Sequence, residues 1–246
     1  MTVTAATTTA STDEWYPAPT KARWVDRWIR ASRIPLRFQG TSLSDIITPV
    51  TNATNESEKY ILGWYDSVVN GQIVEAKDSP TCGMGLLLTG APGVGKTTVA
   101  CALGMDLLLT PPTSFWGRDT PSLTSPVMYL TYPQYMRILG DSMDTDDEDR
   151  RFVAKRTLRR INGEGVHVAD DVVKVLILDD LGKEYGTAWS KDQFDHLTRI
   201  RYDLALPTIV TSNVRLGEWA ATYGEAAADF AKEAFLLVEM MGASRR

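Results

Sequence analysis

A parallel β-sheet covered by helices on both faces is the fold class this sequence predicts, on three observations. From about residue 55 onward, short apolar runs alternate with stretches of helical periodicity, the pattern of βα units. The apolar runs are too short for buried helices and are bounded by glycine, proline or polar residues. The chain has 246 residues, 43% hydrophobic and 23% charged, which suits one large core or one core with a short appendage.

Residues 1–14 (MTVTAATTTASTDE) hold almost no large apolar side chain, so they read as a disordered tail. Residues 15–54 read as an N-terminal helix and linker. Trp24, Val25, Trp28 and Ile29 make one helical stripe, with Lys21, Arg23, Arg27, Arg30 and Arg33 around it and Pro35 ending it. Three roles fit this basic, Trp-rich helix: packing on the main domain, docking into a partner protein's groove, or lying on a membrane surface. NESEKYILGWYDSVV is a further helix.

GMGLLLTG (83–90) is a buried strand and KTTVACALGMDLLL a helix. TPPTSFWGRDTPSLTSP (110–126) reads as a surface loop, PVMYLT (126–131) as a second strand and YPQYMRIL as the start of a helix. VVKVLILDD (172–180) is the strongest strand. SKDQFDHLTRIRYDLAL (190–206) is a helix, with a capping box expected at Ser190 and Gln193, a buried stripe of Phe194, Leu197, Ile200 and Leu204, and Pro207 as its stop. TIVTSN (208–213) is a strand, whereas AFLLVEMMG fits strand or helix equally.

Composition excludes several functions. The net charge of −5 gives no global attraction to nucleic acid or to an anionic membrane, so such contacts need a local basic patch. Cys82 and Cys101, with only His167 and His196 as histidines, make neither a disulfide framework nor a zinc motif. No run approaches the ~20 apolar residues that span a bilayer, and no secretory leader is evident, so the expected location is the cytoplasm with no membrane partner.

The residues that carry chemistry begin at the end of the first strand. Gly90-Ala91-Pro92-Gly93-Val94-Gly95-Lys96-Thr97 is a complete G-x-x-x-x-G-K-T loop between a strand and a helix. Its glycines let backbone N–H groups approach phosphates, and the helix N-terminus favours negative charge. Lys96 is placed to reach β- and γ-phosphates, Thr97 to offer its oxygen to Mg²⁺, and Thr98 to follow them in the first turn. Asp179 and Asp180 close the VLIL strand about 80 residues later. A carboxylate at that end of a parallel strand lies in the ligand crevice, so Asp179 is expected to hold Mg²⁺ through water and Asp180 to polarise the attacking water. Asn213, in Thr211-Ser212-Asn213, is the polar strand end chosen to bond that water or the γ-phosphate.

Together, GLLLTG (85–90) leading into the loop, LILDDLGKE (176–184) and RYDLALPTIVTSN (201–213) resemble the DnaC/DnaI/IstB branch of the AAA+ ATPases. RASRIPLRFQGTSLSDI (30–46) resembles the linker before the ATPase core of that branch, and GASRR (242–246) its C-terminal end. The resemblance implies an AAA+ domain over 55–246 with a five-stranded parallel sheet and a minimal or absent lid, since only 33 residues follow Asn213. It implies ATP and Mg²⁺ as cofactors, Lys96 and Thr97 as Walker A, Asp179 and Asp180 as Walker B, Asn213 as sensor 1, and Arg245 or Arg246 at the γ-phosphate as sensor 2. It also implies a replicative hexameric helicase and single-stranded DNA as partners, the N-terminal helix gripping the helicase, and self-association or a helicase-templated oligomer. One departure stands out. No arginine lies between Arg215 and Arg245, where the branch carries the residue that reaches a neighbour's ATP, which leaves Arg199, Arg201 or Arg215 as substitutes.

For DNA, Arg150, Arg151, Lys155, Arg156, Arg159 and Arg160 place six cations in eleven residues, and Tyr129, Tyr132 and Tyr135 offer rings on which bases stack. The acidic run 144–149 just upstream is the competing partner for those cations. Three functions follow: an ATPase that loads a replicative helicase onto single-stranded DNA, an IstB-like transposition helper acting on duplex DNA, or a nucleotide-binding scaffold with weak hydrolysis.

Overall fold

The computed structural model describes residues 18–46, 56–71, 83–116, 123–164, 171–182 and 187–241. The expected tail over 1–14, Cys82, His167, Arg245 and Arg246 lie outside the described residues. Helices α1 (Ala18–Ala31), α2 (Leu43–Ile46) and α3 (Glu56–Val69) precede strand β1 (Gly85–Thr89) and helix α4 (Lys96–Leu109). Strand β2 (Val127–Thr131) leads into the pair α5 (Tyr132–Met143) and α6 (Glu148–Ile161). Strand β3 (Val175–Leu181), α7 (Ala188–Asp203), β4 (Thr208–Ser212), α8 (Trp219–Tyr223), α9 (Glu225–Ala234) and β5 (Phe235–Glu239) complete the order.

The five strands form one sheet in the order β2-β3-β4-β1-β5, every pairing parallel. β1 and β4 are buried along their whole length, as strands covered on both faces must be. Two apolar clusters fill the space on either side of the sheet, one gathering α1, α3 and α4 and the other α5, α7, α8 and α9. Leu86 and Leu88 join the first and Leu87 the second, the alternation a strand imposes. AFLLVEMMG resolves as the strand β5, which lies along β1 in the register Gly85↔Phe235 to Thr89↔Glu239. After β4 only a 3₁₀ turn, two helices and β5 follow among the described residues, with no separate lid.

For α1 the packing reading is the one observed at Trp28, and several other local expectations need correction. Trp28 is fully buried and packs its ring 4.9 Å from that of Trp116, so α1 is fastened to the core and Trp28 is closed to any partner. Phe115 and Trp116 are also buried, so the first part of the segment expected as a surface loop folds inward. The cap of α7 is Thr187, whose Oγ1 accepts from the Ser190 N–H at 3.1 Å; Ser190 is already inside the helix and donates its own hydroxyl to the Thr187 carbonyl at 2.9 Å. The buried stripe of α7 runs through Phe194, Leu197, Thr198 and Arg201, while Leu204 lies beyond the helix end and half exposed.

Candidate functional site

Parallel strands bring their C-terminal ends to one edge of the sheet, and β4 sits between β1 and β3. The loop after β1, the acids ending β3 and the polar end of β4 therefore converge without any long excursion of the chain. Gly95 caps α4 in the left-handed region at φ 103, which no other residue adopts as readily. Gly90, at φ 140, passes so close to β5 that a Cβ there would lie 2.4 Å from the Met240 carbonyl oxygen. The loop's curvature thus depends on glycine at both positions.

Lys96 is buried, with 7% of its surface exposed. Its ammonium donates to the Gly90 carbonyl at 2.8 Å, the Ala91 carbonyl at 2.9 Å and Asn213 Oδ1 at 2.9 Å. The loop lysine and the end of β4 are thus in direct contact across the cleft. Thr97 Oγ1 donates to Asp179 Oδ1 at 2.8 Å, which leaves both hydroxyl lone pairs available to a cation. Asp179 is almost wholly buried and accepts two further bonds, from Thr211 Oγ1 at 2.5 Å and from the Tyr129 hydroxyl at 2.7 Å. Burial, then the hydrogen bond to Asp179 and its charge, push the Tyr129 phenol well above the ordinary tyrosine range, so it stays protonated and donates. Burial and the same carboxylate push the Cys101 thiol up to about 12, so it stays neutral.

Asp180 faces the cleft beside Asn213 and Pro92 to Val99. The opposite wall comes from the N-terminal linker and α3, with Arg37, Phe38, Ile46 and Glu58, and from Met240 and Met241 after β5. The enclosed volume is about 620 Å³, within the range of small-molecule sites. Among the described residues no group of three or more His, Cys, Asp or Glu converges to hold a metal by itself. A hydroxyl and one carboxylate are what Mg²⁺ takes from a protein when phosphates and water complete its shell, so the donor set fits a nucleotide-borne ion.

All the expected loop residues, Asp179, Asp180 and Asn213 come together here. Tyr129 and Thr211 carry contacts in the site that the sequence did not single out. Thr211 lies two residues before Asn213, and strand alternation, which puts both on one face, was the signal for it. Tyr129 sits in an apolar strand and offers no such signal. The three tyrosines are no stacking platform: Tyr129, Tyr132 and Tyr135 are all buried.

Arg201 is no substitute for the missing arginine, because it is wholly buried beneath the sheet. Arg199 is held by Asp195 at 2.7 Å and lies 4.0 Å over the Phe230 ring. Arg215 is exposed, two residues beyond Asn213. On α6, the acidic run pairs differently from expectation. Asp147 caps the helix by accepting from the Arg150 N–H at 3.0 Å, while Arg150 pairs with Asp141 and Arg160 with Asp171. Phe152, Lys155, Arg156 and Arg159, spaced i, i+3, i+4 and i+7, form an exposed stripe, with Arg156 reaching Asp171 at 3.5 Å.

An all-parallel five-stranded sheet with a phosphate loop after β1, paired acids ending β3 and a polar β4 terminus between them defines an AAA+ P-loop NTPase fold. No protein-family model matches the chain, and no curated protein matches it in sequence. Among solved structures it is similar to the helicase loader DnaC, with a TM-score of 0.56 and 21% identity over 84% of this chain and 100% of that one. It is also similar to DnaI, at 0.55 and 22% over 86% of this chain and 94% of the other. A replication initiator DnaA bound to AMPPCP and single-stranded DNA matches at 0.56 and 14%, over 86% of this chain and 52% of that chain. At these identities the shared property is the fold, and it is the fold expected from the resemblance to the DnaC and DnaI branch. Among the described residues no helix is long and apolar enough to cross a membrane.

Proposed function

We propose that this protein is an ATP-dependent loader that binds a replicative hexameric helicase and places it on single-stranded DNA. The observation that supports this choice is that the match to DnaC and DnaI runs over 100% and 94% of their chains at 21% and 22% identity, whereas that to DnaA, at an equal TM-score, covers 52% of its chain at 14%. In this reading the loop amides and Lys96 grip the triphosphate of ATP. Thr97 and Asp179 hold its Mg²⁺, which supplies charge neutralisation at the phosphates. Asp180 accepts a proton from the attacking water, and Asn213 orients that water or the γ-phosphate. Arg37, Phe38 and Glu58 line the far wall of the cleft, which this reading assigns to the base and ribose. Arg215, exposed beside the site, is the candidate to reach a neighbouring subunit in a self-assembled or helicase-templated oligomer.

With Trp28 committed to the core, the helicase contact falls to the outer face of α1, where Arg23, Trp24, Arg27 and Arg30 surround an open concavity. Loading is tested on closed circular single-stranded DNA with the purified replicative helicase of the same cell. Helicase retained on the circle with ATP and this protein is the expected result. The Lys96→Ala variant should lose it, because removing one member of a charge-assisted contact costs about 2–5 kcal/mol, at least ~30-fold in ATP affinity. Retention independent of this protein, or undiminished by Lys96→Ala, would reject the proposal.

The stripe Phe152, Lys155, Arg156 and Arg159 is the strand-binding surface in this reading, with Phe152 exposed for base stacking. Lys155→Glu with Arg159→Glu should weaken single-stranded DNA binding and flatten its salt dependence by about 0.7 in log–log slope for each phosphate no longer neutralised. Fluorescence anisotropy at several salt concentrations measures both. An unchanged slope would move DNA binding off α6.

A further inference from the structure

We propose that Thr211 is a positioning residue that fixes the Asp179 carboxylate and the Asp180 backbone together, a step that rests on reading Asp179 and Asp180 as metal and water partners. The need for it comes from strand geometry. Adjacent residues of a strand point to opposite faces, so Asp179 and Asp180 in a regular strand would serve opposite sides of the sheet. Here β3 departs from regular pairing: its register with β4 shifts between Leu178 and Leu181, and Asp180 takes φ 62. That left-handed conformation is disfavoured for any residue with a Cβ and persists only where surrounding contacts enforce it.

One hydroxyl touches both acids, while Ser212 Oγ donates to the Leu181 carbonyl at 3.0 Å just beyond them. Thr211 Oγ1 lies 3.0 Å from the Asp180 amide nitrogen and 2.5 Å from Asp179 Oδ1. An amide only donates and a carboxylate only accepts, so the Thr211 proton goes to Asp179 and a lone pair receives the Asp180 N–H. Thr211 is buried at 1% exposure, and Leu87 to Thr89 on β1 flank it in the register Leu88↔Thr211, so it has no freedom to move aside. Asn213, the residue just past the end of β4, accepts from Lys96. β4 therefore contacts the acids through Thr211, and the residue that follows it touches the loop lysine. Asp179 keeps Thr97 and Tyr129 when the Thr211 hydroxyl is removed, whereas the Asp180 amide loses its bond to Oγ1 at a strained backbone position.

The predicted defect is thus in metal and water handling, with the triphosphate grip spared. Thr211→Val and Thr211→Ala remove the hydroxyl with and without bulk, and Thr211→Ser keeps it. Binding of a fluorescent ATP analogue is measured in EDTA and across a Mg²⁺ titration, with turnover alongside and thermal melting to verify folding. For Thr211→Val or Thr211→Ala, whichever folds, affinity in EDTA should stay within about twofold, while the Mg²⁺ midpoint rises or kcat falls by about 10–100-fold with KM little changed. Thr211→Ser should return both to near the parent values. The proposal is overturned if a folded hydroxyl-free variant keeps the parent Mg²⁺ midpoint and kcat, if Thr211→Ser is as impaired as Thr211→Ala, or if both hydroxyl-free variants fail to fold. Lys96→Ala run in parallel separates the two levels: if it leaves nucleotide binding intact, the ATP-site reading fails, and if it abolishes binding while the Thr211 variants are normal, only the positioning role fails.

Discussion

Asp180→Asn is expected to cut ATP turnover by about 10²–10⁴-fold while leaving ATP binding nearly intact. The substitution preserves size and a carbonyl oxygen but removes the group able to take a proton from water. In the proposed site binding survives because the triphosphate is held by Lys96 and the loop amides and the Mg²⁺ by Asp179, whose carboxylate is fixed by Thr97, Thr211 and Tyr129. The left-handed φ of Asp180 tolerates asparagine better than most residues, so the backbone should hold its course. Steady-state hydrolysis paired with nucleotide titration reads the split. Turnover within threefold of the parent would remove Asp180 from the chemistry and leave a binding scaffold, the weakest-hydrolysis function the sequence admits. Asp179→Asn should behave differently, because three donors converge on that carboxylate and its removal leaves buried hydroxyls to re-pair.

What could be read from sequence was what the chain encodes locally. The phosphate loop is eight consecutive residues whose glycines, lysine and threonine each answer a backbone or charge requirement at that spot. The four strands before it and after it are short apolar runs with clear bounds, whereas their order in the sheet came only with the structure. Contacts made across the sheet were less accessible. Tyr129 reaches Asp179 from the neighbouring strand β2, and nothing in VMYLT distinguishes a hydroxyl aimed at a carboxylate from a ring in a core. Trp28 and Trp116 are far apart in sequence, and only their packing decides that α1 belongs to the core. The stripe of α7 misled by one position in the turn: Phe194, Leu197, Ile200 and Leu204 and Phe194, Leu197, Thr198 and Arg201 are both helical spacings, and hydrophobicity favoured the wrong one. An arginine at i+7 of a buried stripe was the available signal, and it gains its meaning only from the carbonyls waiting at the bottom of the sheet.

Those carbonyls set the second large effect, a loss of about 3–5 kcal/mol in folding stability on Arg201→Ala. The guanidinium is fully buried and donates to the Ile161 carbonyl at 2.5 Å, the Val173 carbonyl at 3.1 Å, the Pro207 carbonyl at 3.0 Å and Thr208 Oγ1 at 2.8 Å. Desolvation pulls its pKa down to about 9, so burial carries a real cost that these acceptors offset. They belong to the end of α6, the approach to β3 and the start of β4, so one side chain ties three segments at the N-terminal edge of the sheet. Alanine would leave several buried carbonyls without donors, each costing ~1–3 kcal/mol before relaxation or water entry. Lysine should restore little, since one ammonium cannot reproduce the planar fork that reaches oxygens on both sides. The proposed nucleotide cleft lies at the opposite, C-terminal edge, so Arg201→Ala protein that remains folded in the cold should bind ATP with nearly parent affinity. Urea denaturation combined with nucleotide titration tests both halves. A stability loss below 1 kcal/mol would mean the carbonyls find other donors, whereas a loss of ATP affinity in folded protein would mean the two edges of the sheet are coupled.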